Sequence, residues 1–342
     1  MKKIVLTGDR PSGNLHIGHY VGSLRQRVEM QNSGEYEMYI LVADLQALTD
    51  NADNPQKIKD SIAEIVLDYL AVGLDPEKCH FVLQSKVPAL FELPMYYANL
   101  VTQARLERNP TVKSEIKQKK FEKTVPVGFV FYPISQAADI TAFGAHLVPV
   151  GADQAPMLEQ TREIVQTFNR IYGDVLTLPD ALIPSGKESR LVGTDGSAKM
   201  SKSLGNCIYI KDSEQILKQK VMSMFTDPDH IHASDPGKVD GNAVFSYLDI
   251  FCKNEHLIKF LPEYKSLDEL KKHYKRGGLG DVKIKTFLYE ILNEFLAPMR
   301  QRRAKYDNNA ALEFLKKGTE AGINKSNETL RAVRMAIGLD VI

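Results

Sequence analysis

The feature that most constrains the fold of this chain is a set of short apolar runs, each closed by a turn residue and followed by helical periodicity. Lys3 to Thr7 is one such run, continuous and β-rich, and Gly8 breaks it. A strand without polar alternation is buried on both faces, as in a parallel sheet covered by helices. Gly18 through Met30 then reads as a helix with Val21, Leu24 and Val28 on one face. Met38 to Val42 repeats the strand pattern. Asn54-Pro55 caps a helix that gathers Ile58, Ile62, Ile65 and Tyr69 on one side and stops at Gly73. Phe81 to Leu83 and His146 to Val150 add two more strands. A helix carrying Leu158, Thr161, Val165, Phe168 and Tyr172 follows the second of them. Strands alternating with helices predict an α/β fold, a Rossmann-like doubly wound parallel sheet.

Two stretches depart from that rhythm. Between the third and fourth strands lies an interruption, about residues 88–145, which holds the basic residues Lys113, Lys117, Lys119, Lys120 and Lys123. From Asp212 onward strand signals vanish and helical periodicity takes over, most clearly in Ile284, Phe287, Leu288, Ile291, Leu292, Phe295 and Met299. The expected organisation is therefore a sheet domain over residues 1–210, with an insertion, and an all-helical domain over 211–342. A length of 342 residues suits two such units.

Composition excludes several classes. No apolar run approaches the ~18 residues of a membrane span. The basic N-terminus leads into a stretch too short for a signal peptide, and a first buried strand explains it. Cys79, Cys207 and Cys252 are scattered, without CxxC spacing, which fits a reducing cytoplasm and neither a disulfide framework nor a metal site. The net charge of +1 leaves nucleic-acid contact to local patches.

Chemistry concentrates in four segments. The first is Pro11-Ser12-Gly13-Asn14-Leu15-His16-Ile17-Gly18-His19, at a strand-to-helix junction. A helix N-terminus there points free N–H groups and partial positive charge at an anion. His16 and His19 each add a ring donor, and Gly8, Gly13 and Gly18 permit close backbone approach. The second is Lys199-Met200-Ser201-Lys202-Ser203, preceded by Gly193-Thr194-Asp195-Gly196. Two ammonium groups on flexible stems suit a departing polyphosphate, and the flanking glycines predict a mobile loop. In the third, Tyr132, Gln136 and Asp139 share a helix face, with Asp139 among Ala137, Ala138, Ile140 and Ala142. A buried carboxylate there needs a partner. The fourth, Pro149-Val150-Gly151-Ala152-Asp153-Gln154, sits at a second strand end.

The first two segments, in this order and half a chain apart, resemble the HIGH and KMSKS signatures of class I aminoacyl-tRNA synthetases. Over almost its whole length the chain resembles the tryptophanyl family. The resemblance implies activation of L-tryptophan by MgATP to tryptophanyl-adenylate, then transfer to tRNA(Trp). It implies catalytic roles for His16, His19, Lys199 and Lys202, with the lysines stabilising pyrophosphate. It places ATP on Arg10, Pro11, Ser12, Gly18, His19, Gly151, Ala152, Asp153, Leu191, Lys199, Met200, Ser201, Lys202 and Ser203, with Asp153 on a ribose hydroxyl. It places tryptophan on Leu6, Gly8, Tyr132, Gln136, Asp139 and Gln154: Asp139 accepts the indole N–H, and Tyr132, Gln136 and Gln154 reach the α-amino group. It further implies a cytoplasmic homodimer formed through the insertion, an anticodon-binding role for residues 211–342, and magnesium only as the companion of ATP. Lys113 to Lys123 and Arg300, Arg302, Arg303 and Lys305 are candidate tRNA contacts.

Three alternatives remain at this level. A tyrosyl enzyme carries a tyrosine two residues before the first-strand glycine, where this chain has Leu6. A nucleotidyltransferase with HxGH lacks the lysine loop and the helical tail. A non-catalytic RNA-binding paralogue usually loses one of the two signatures, and both are intact. The chain also departs from the common tryptophanyl pattern, with Gly8-Asp9-Arg10-Pro11-Ser12-Gly13 for GIQPSG and His19 for asparagine.

Overall fold

A computed structural model describes residues 2–118, 121, 124–151, 154–183, 191–196 and 199–341. Five parallel strands form one sheet: β1 (Lys3–Asp9), β2 (Tyr36–Val42), β3 (His80–Leu83), β4 (Leu147–Pro149) and β5 (Asp180–Leu182), in the order β3-β2-β1-β4-β5. β1 pairs with β2 from Lys3 opposite Tyr36 to Asp9 opposite Val42, and with β4 at Val5 opposite Leu147. The first four strands lie where the apolar runs predict. β5 has no such run: only three residues pair with β4, and two of them are exposed.

Successive strand residues serve opposite cores. Val5, Met38, Ile40 and Val42 face one apolar cluster, and Ile4, Leu6, Tyr39 and Leu41 face the other. This is the two-sided burial expected of a parallel sheet. The long helix Pro55–Val72 covers the first face; its Asn54 side chain accepts from the Lys57 amide, and Gly73 ends it at φ +104°. Helices Ala89–Tyr97, Val127–Ala142 and Ala155–Tyr172 supply the second face. The 88–145 interruption is thus largely helical, and much of it is packed into the core.

The region after Lys211 is helical, as expected, yet it shares its core with the sheet. Ile284, Phe287, Leu288, Ile291 and Leu292 of helix Asp281–Arg303 belong to the same cluster as Val5 and Ile40. The final helix, Asn308–Ile337, returns to the sheet and lies on β3. The Leu83 amide donates to Thr319 Oγ1 at 2.9 Å, and a side chain at Gly318 would meet the Phe81 carbonyl oxygen at 2.2 Å. The helix therefore covers the free edge of β3, which would otherwise offer unpaired backbone groups.

Candidate active site

β1 and β4 are neighbours in the sheet, but the chain leaves them toward opposite sides. Ligands of open α/β sheets bind at such a point, outside the carboxyl ends of the strands. A cavity of about 1430 Å³ opens there. Its wall brings together Leu6, Gly8, Arg10, Ser12, His16, Gly18 and His19 from the first segment. Tyr132, Gln136, Asp139, Gly151 and Gln154 come from the middle of the chain, and Leu191 and Lys199 to Ser203 from the lysine segment. Pro11 is buried beside the cavity without lining it. Ala152 and Asp153 lie outside the described residues, as do Lys119, Lys120 and Lys123.

The first segment is joined through the backbone to the stretch just after the lysine segment, and to that segment itself through Lys202. The Ile17 amide donates to the Ile208 carbonyl, the Ile210 amide donates to that of Leu15, and both bonds are 3.0 Å long. Lys202 Nζ donates to the Gly13 carbonyl at 2.7 Å. Burial pulls the Lys202 ammonium below its ordinary pKa. Met200 is buried in the core, with its amide donating to Leu191.

The flanking glycines have a packing reason that a reading in terms of loop mobility overlooks. A Cβ at Gly193 would sit 2.0 Å from Asn206 Nδ2, and Asn206 in turn accepts from the Ser201 amide and donates to Asp195. Gly18 is likewise required by a neighbour, since a Cβ there would fall 2.9 Å from His16 Nδ1 and 3.4 Å from the Met200 sulfur.

Both histidines are neutral near physiological pH. Burial, reinforced by its cationic neighbours, drops His16 to about 2. Burial holds His19 at about 4 despite the nearby Asp9 carboxylate. The rings lie 3.7 Å apart, and His19 Nδ1 accepts from the His16 amide at 3.1 Å. An accepting Nδ1 assigns the proton of neutral His19 to Nε2, which leaves a ring N–H as its donor. The helix they open continues through a π-helical turn, Tyr20–Leu24, a device frequent at functional sites.

Beneath them Asp9 accepts from Arg27 Nη1 at 2.5 Å and from the Tyr69 hydroxyl at 2.8 Å. Burial alone would raise the Asp9 carboxyl, but Arg27 outweighs it, with smaller help from His19 and Tyr69, and holds it low. Arg10 pairs with Asp50 at 2.7 Å. Behind the segment, Asp68 Oδ2 accepts from the Leu15 amide at 2.8 Å, while its other oxygen takes Arg303 Nη1 at 2.6 Å.

Asp139 closes the other end of the cavity and is only 3% exposed. Gln46 Nε2 donates to it at 2.6 Å, and Gln84 Nε2 donates to both of its oxygens at 2.8 and 2.9 Å. Burial raises its carboxyl to about 7 against the pull of the two amides. Sequence reasoning missed both glutamines. Gln84 follows β3 directly and Gln46 lies just past β2, so the ligand side of a strand end was the available signal. It also missed Glu115, whose Oε2 accepts from the Tyr132 hydroxyl at 3.1 Å.

The arginines of 300–305 make bonds within the chain. Arg303 pairs with Asp68 and Glu64, Arg302 Nε donates to the Ala71 carbonyl, and Arg300 is bonded to Asn293. Arg302 and Arg303 dock helix Asp281–Arg303 onto helix Pro55–Val72. Lys305 remains exposed.

Residues 2–297 match the family described as tRNA synthetases class I (W and Y). The tryptophan–tRNA ligase of Clostridium longisporum is 58% identical over 342 residues, covering 99% of this chain and 98% of that protein. The tryptophan–tRNA ligase of Streptococcus mutans is 54% identical over 343 residues, covering 99% of each. Among solved structures, tryptophanyl-tRNA synthetase from Campylobacter jejuni complexed with ADP and tryptophan superposes with a TM-score of 0.83. It is 30% identical, over 98% of this chain and all of that one.

Proposed function

This chain belongs to the class I tRNA synthetases of the tryptophan and tyrosine group, and we propose that it is the tryptophan-charging member: a tryptophan–tRNA ligase. The observation that carries the choice is the far end of the cavity. A buried carboxylate, Asp139, is held there by two glutamines, while Leu6 on the wall offers no hydroxyl. One acceptor and an apolar wall suit an indole N–H better than a phenol, which both donates and accepts.

In the first step a carboxylate oxygen of tryptophan attacks the α-phosphorus of ATP. The bond from that phosphorus to the bridging oxygen breaks, and pyrophosphate leaves. A carboxylate is already a nucleophile, so no general base is required. Charge grows on the phosphate oxygens, and preorganised donors aimed at them are the main source of acceleration. We assign that task to the neutral ring N–H groups of His16 and His19 and to the ammonium groups of Lys199 and Lys202. In the second step a hydroxyl of the terminal tRNA ribose attacks the acyl carbon, AMP leaves, and the hydroxyl proton passes to solvent or phosphate. Arg10, Pro11, Ser12, Gly18, Gly151, Ala152, Asp153, Leu191, Met200, Ser201 and Ser203 are assigned to ATP, and Gly8, Tyr132, Gln136 and Gln154 to the amino acid. Magnesium enters as the counter-ion of the ATP phosphates.

No helix among the described residues is long and apolar enough to cross a membrane, and we place the enzyme in the cytoplasm. We assign the helical region from residue 211 to the anticodon end of tRNA. We assign the 88–145 region to a homodimer contact, supported by Phe91 and Met95, which are 53% and 62% exposed on helix Ala89–Tyr97. The deciding experiment is ATP–pyrophosphate exchange with tryptophan and tyrosine in parallel. Exchange is expected with tryptophan, and comparable exchange with tyrosine would move the tyrosyl reading ahead.

A further inference from the structure

Four described carboxylates line the cavity: Asp9, Asp50, Glu115 and Asp139. Asp9 is matched by Arg27 and Tyr69, Asp50 by Arg10, and Asp139 by two glutamine amides. Glu115 has no cation among the described residues; its one described side-chain partner is the Tyr132 hydroxyl. The cationic side of the same cavity is elsewhere, at Lys57, Lys199 and Lys202, the last two beside the histidines. Among the described residues the cavity is thus polarised: the Glu115 carboxylate, with no cation paired to it, lies by Tyr132, and positive charge lies by the lysine segment. A zwitterionic amino acid matches that polarity when its carboxylate faces the lysines and its ammonium faces Glu115.

The segment that carries Glu115 is docked against the pocket. Asn109 accepts from the Thr111 amide and donates to the Pro156 carbonyl, which fixes the start of helix Pro110–Gln118. Val112 packs with Phe129 and Met157, and Ile116 and Tyr132 lie against that cluster. Tyr132 rests edge-on to Phe129 at 5.3 Å. Burial, with the adjacent Glu115 carboxylate second, raises the Tyr132 hydroxyl above its ordinary pKa. The hydroxyl therefore stays protonated and donates to Glu115, leaving its own lone pairs to accept from an ammonium. Tyr132 and Asp139 are seven residues apart on one helix, about 10 Å at ~1.5 Å per residue, which is the scale of an indolyl amino acid. One end of that span takes the indole N–H and the other takes the α-nitrogen.

We infer that Glu115 supplies the counter-charge for the α-ammonium group of the bound amino acid, and so determines selection of an amino acid over its desamino analogue. The inference rests on the tryptophan reading above. Because the ammonium keeps its charge throughout activation, the contact is the same in ground and transition states. Its loss should appear in KM rather than kcat.

The chain contains no tryptophan, so the ligand is the only source of indole emission and binding is read from the change in that emission as the ring leaves water. The test titrates the full chain with L-tryptophan, tryptamine (ammonium, no carboxylate) and 3-indolepropionate (carboxylate, no ammonium). Glu115→Gln should weaken tryptophan and tryptamine by roughly 10–100-fold, the range for a hydrogen bond to a charged group. It should leave 3-indolepropionate unchanged. The KM for tryptophan should rise by a similar factor at near-constant kcat. Glu115→Asp, which keeps the charge, should recover most of the preference for tryptophan over 3-indolepropionate. It also serves as the test should Glu115→Gln fold poorly. Equal weakening of all three ligands, or no weakening of any, would overturn the role of Glu115 alone. Failure of the unsubstituted protein to bind tryptophan would instead overturn the functional reading on which it rests.

Discussion

The most discriminating perturbation of the pocket is Asp139→Asn, because it removes a titration without removing volume. The carboxyl is buried, held by Gln46 and Gln84, and shifted up to about 7 by that burial. Near neutrality the pocket is therefore divided between acid and carboxylate. An indole N–H donates more strongly to the carboxylate, since charge-assisted hydrogen bonds are the stronger kind. If the ionised acceptor is worth about 1–2 kcal/mol more, tryptophan affinity should climb roughly 5–30-fold as pH rises through about 7 and then level off. The histidines of the site do not contribute to that step, since they sit at about 2 and about 4. In Asp139→Asn the step should vanish. With a neutral amide in place of the charged acceptor, affinity above neutrality should fall by the same ~1–2 kcal/mol. Stability carries the complementary sign. The folded pKa lies above the ordinary value of 3.8, so the contribution of Asp139 is fully present below that value and is lost as pH rises through about 7. Relative to the unsubstituted chain, Asp139→Asn should therefore gain stability at high pH. Indole emission titrations across this range, with thermal melts alongside, read both effects. A flat affinity profile in the unsubstituted protein, or the same step surviving in the variant, would refute the reasoning.

Two further substitutions probe the other end of the site. Lys202→Ala removes the ammonium that now rests on the Gly13 carbonyl. It should slow adenylate formation ~10²–10³-fold in single turnover, with a far smaller change in tryptophan affinity; a normal rate would exclude the role. Arg303→Met should cost about 3–5 kcal/mol in chemical denaturation, because it strands the fully buried Asp68 carboxylate. Burial already raises Asp68 to about 6, with Arg303 pulling it down, so the loss should deepen above that pH. Adding Asp68→Asn should restore part of it, and strictly additive losses would argue against the pairing.

Legibility from sequence followed a physical divide. Strands buried on both faces announce themselves as apolar runs, and β1 to β4 did so. β5, three residues with Asp180 and Ala181 exposed, has no such pattern and exists because β4 offers it backbone partners. Helical periodicity marked the apolar residues of Asp281–Arg303 but not the surface they cover, and an apolar stripe has no address. The same limit applies to Arg302 and Arg303. A basic cluster looks alike whether it faces RNA or, as here, the Glu64 and Asp68 carboxylates and the Ala71 carbonyl some 230 residues earlier in the chain. Asp68 had been legible on the argument used for Asp139, a carboxylate among apolar helix neighbours, and was overlooked because no motif framed it.

The departures from the common tryptophanyl pattern show how such long-range pairs preserve a site. An isoleucine after Gly8 needs only apolar company. Asp9 in that place needs a cation and a donor, and Arg27 and Tyr69 provide both from a neighbouring helix and from the last turn of helix Pro55–Val72. The Arg27 guanidinium is 3% exposed and is held by Asp9 and the Gly8 carbonyl. Replacing Asp9 alone would leave a buried guanidinium without its counter-charge directly beneath His19. Arg10 is balanced in turn by Asp50 across the cavity mouth, and His19 Nδ1 is satisfied by the His16 amide. Each departure thus arrives with its compensating partner. The floor beneath the histidines stays locally neutral, and among the described residues the positive charge of the cavity without a carboxylate partner is left at Lys57, Lys199 and Lys202, on the side where the pyrophosphate would leave.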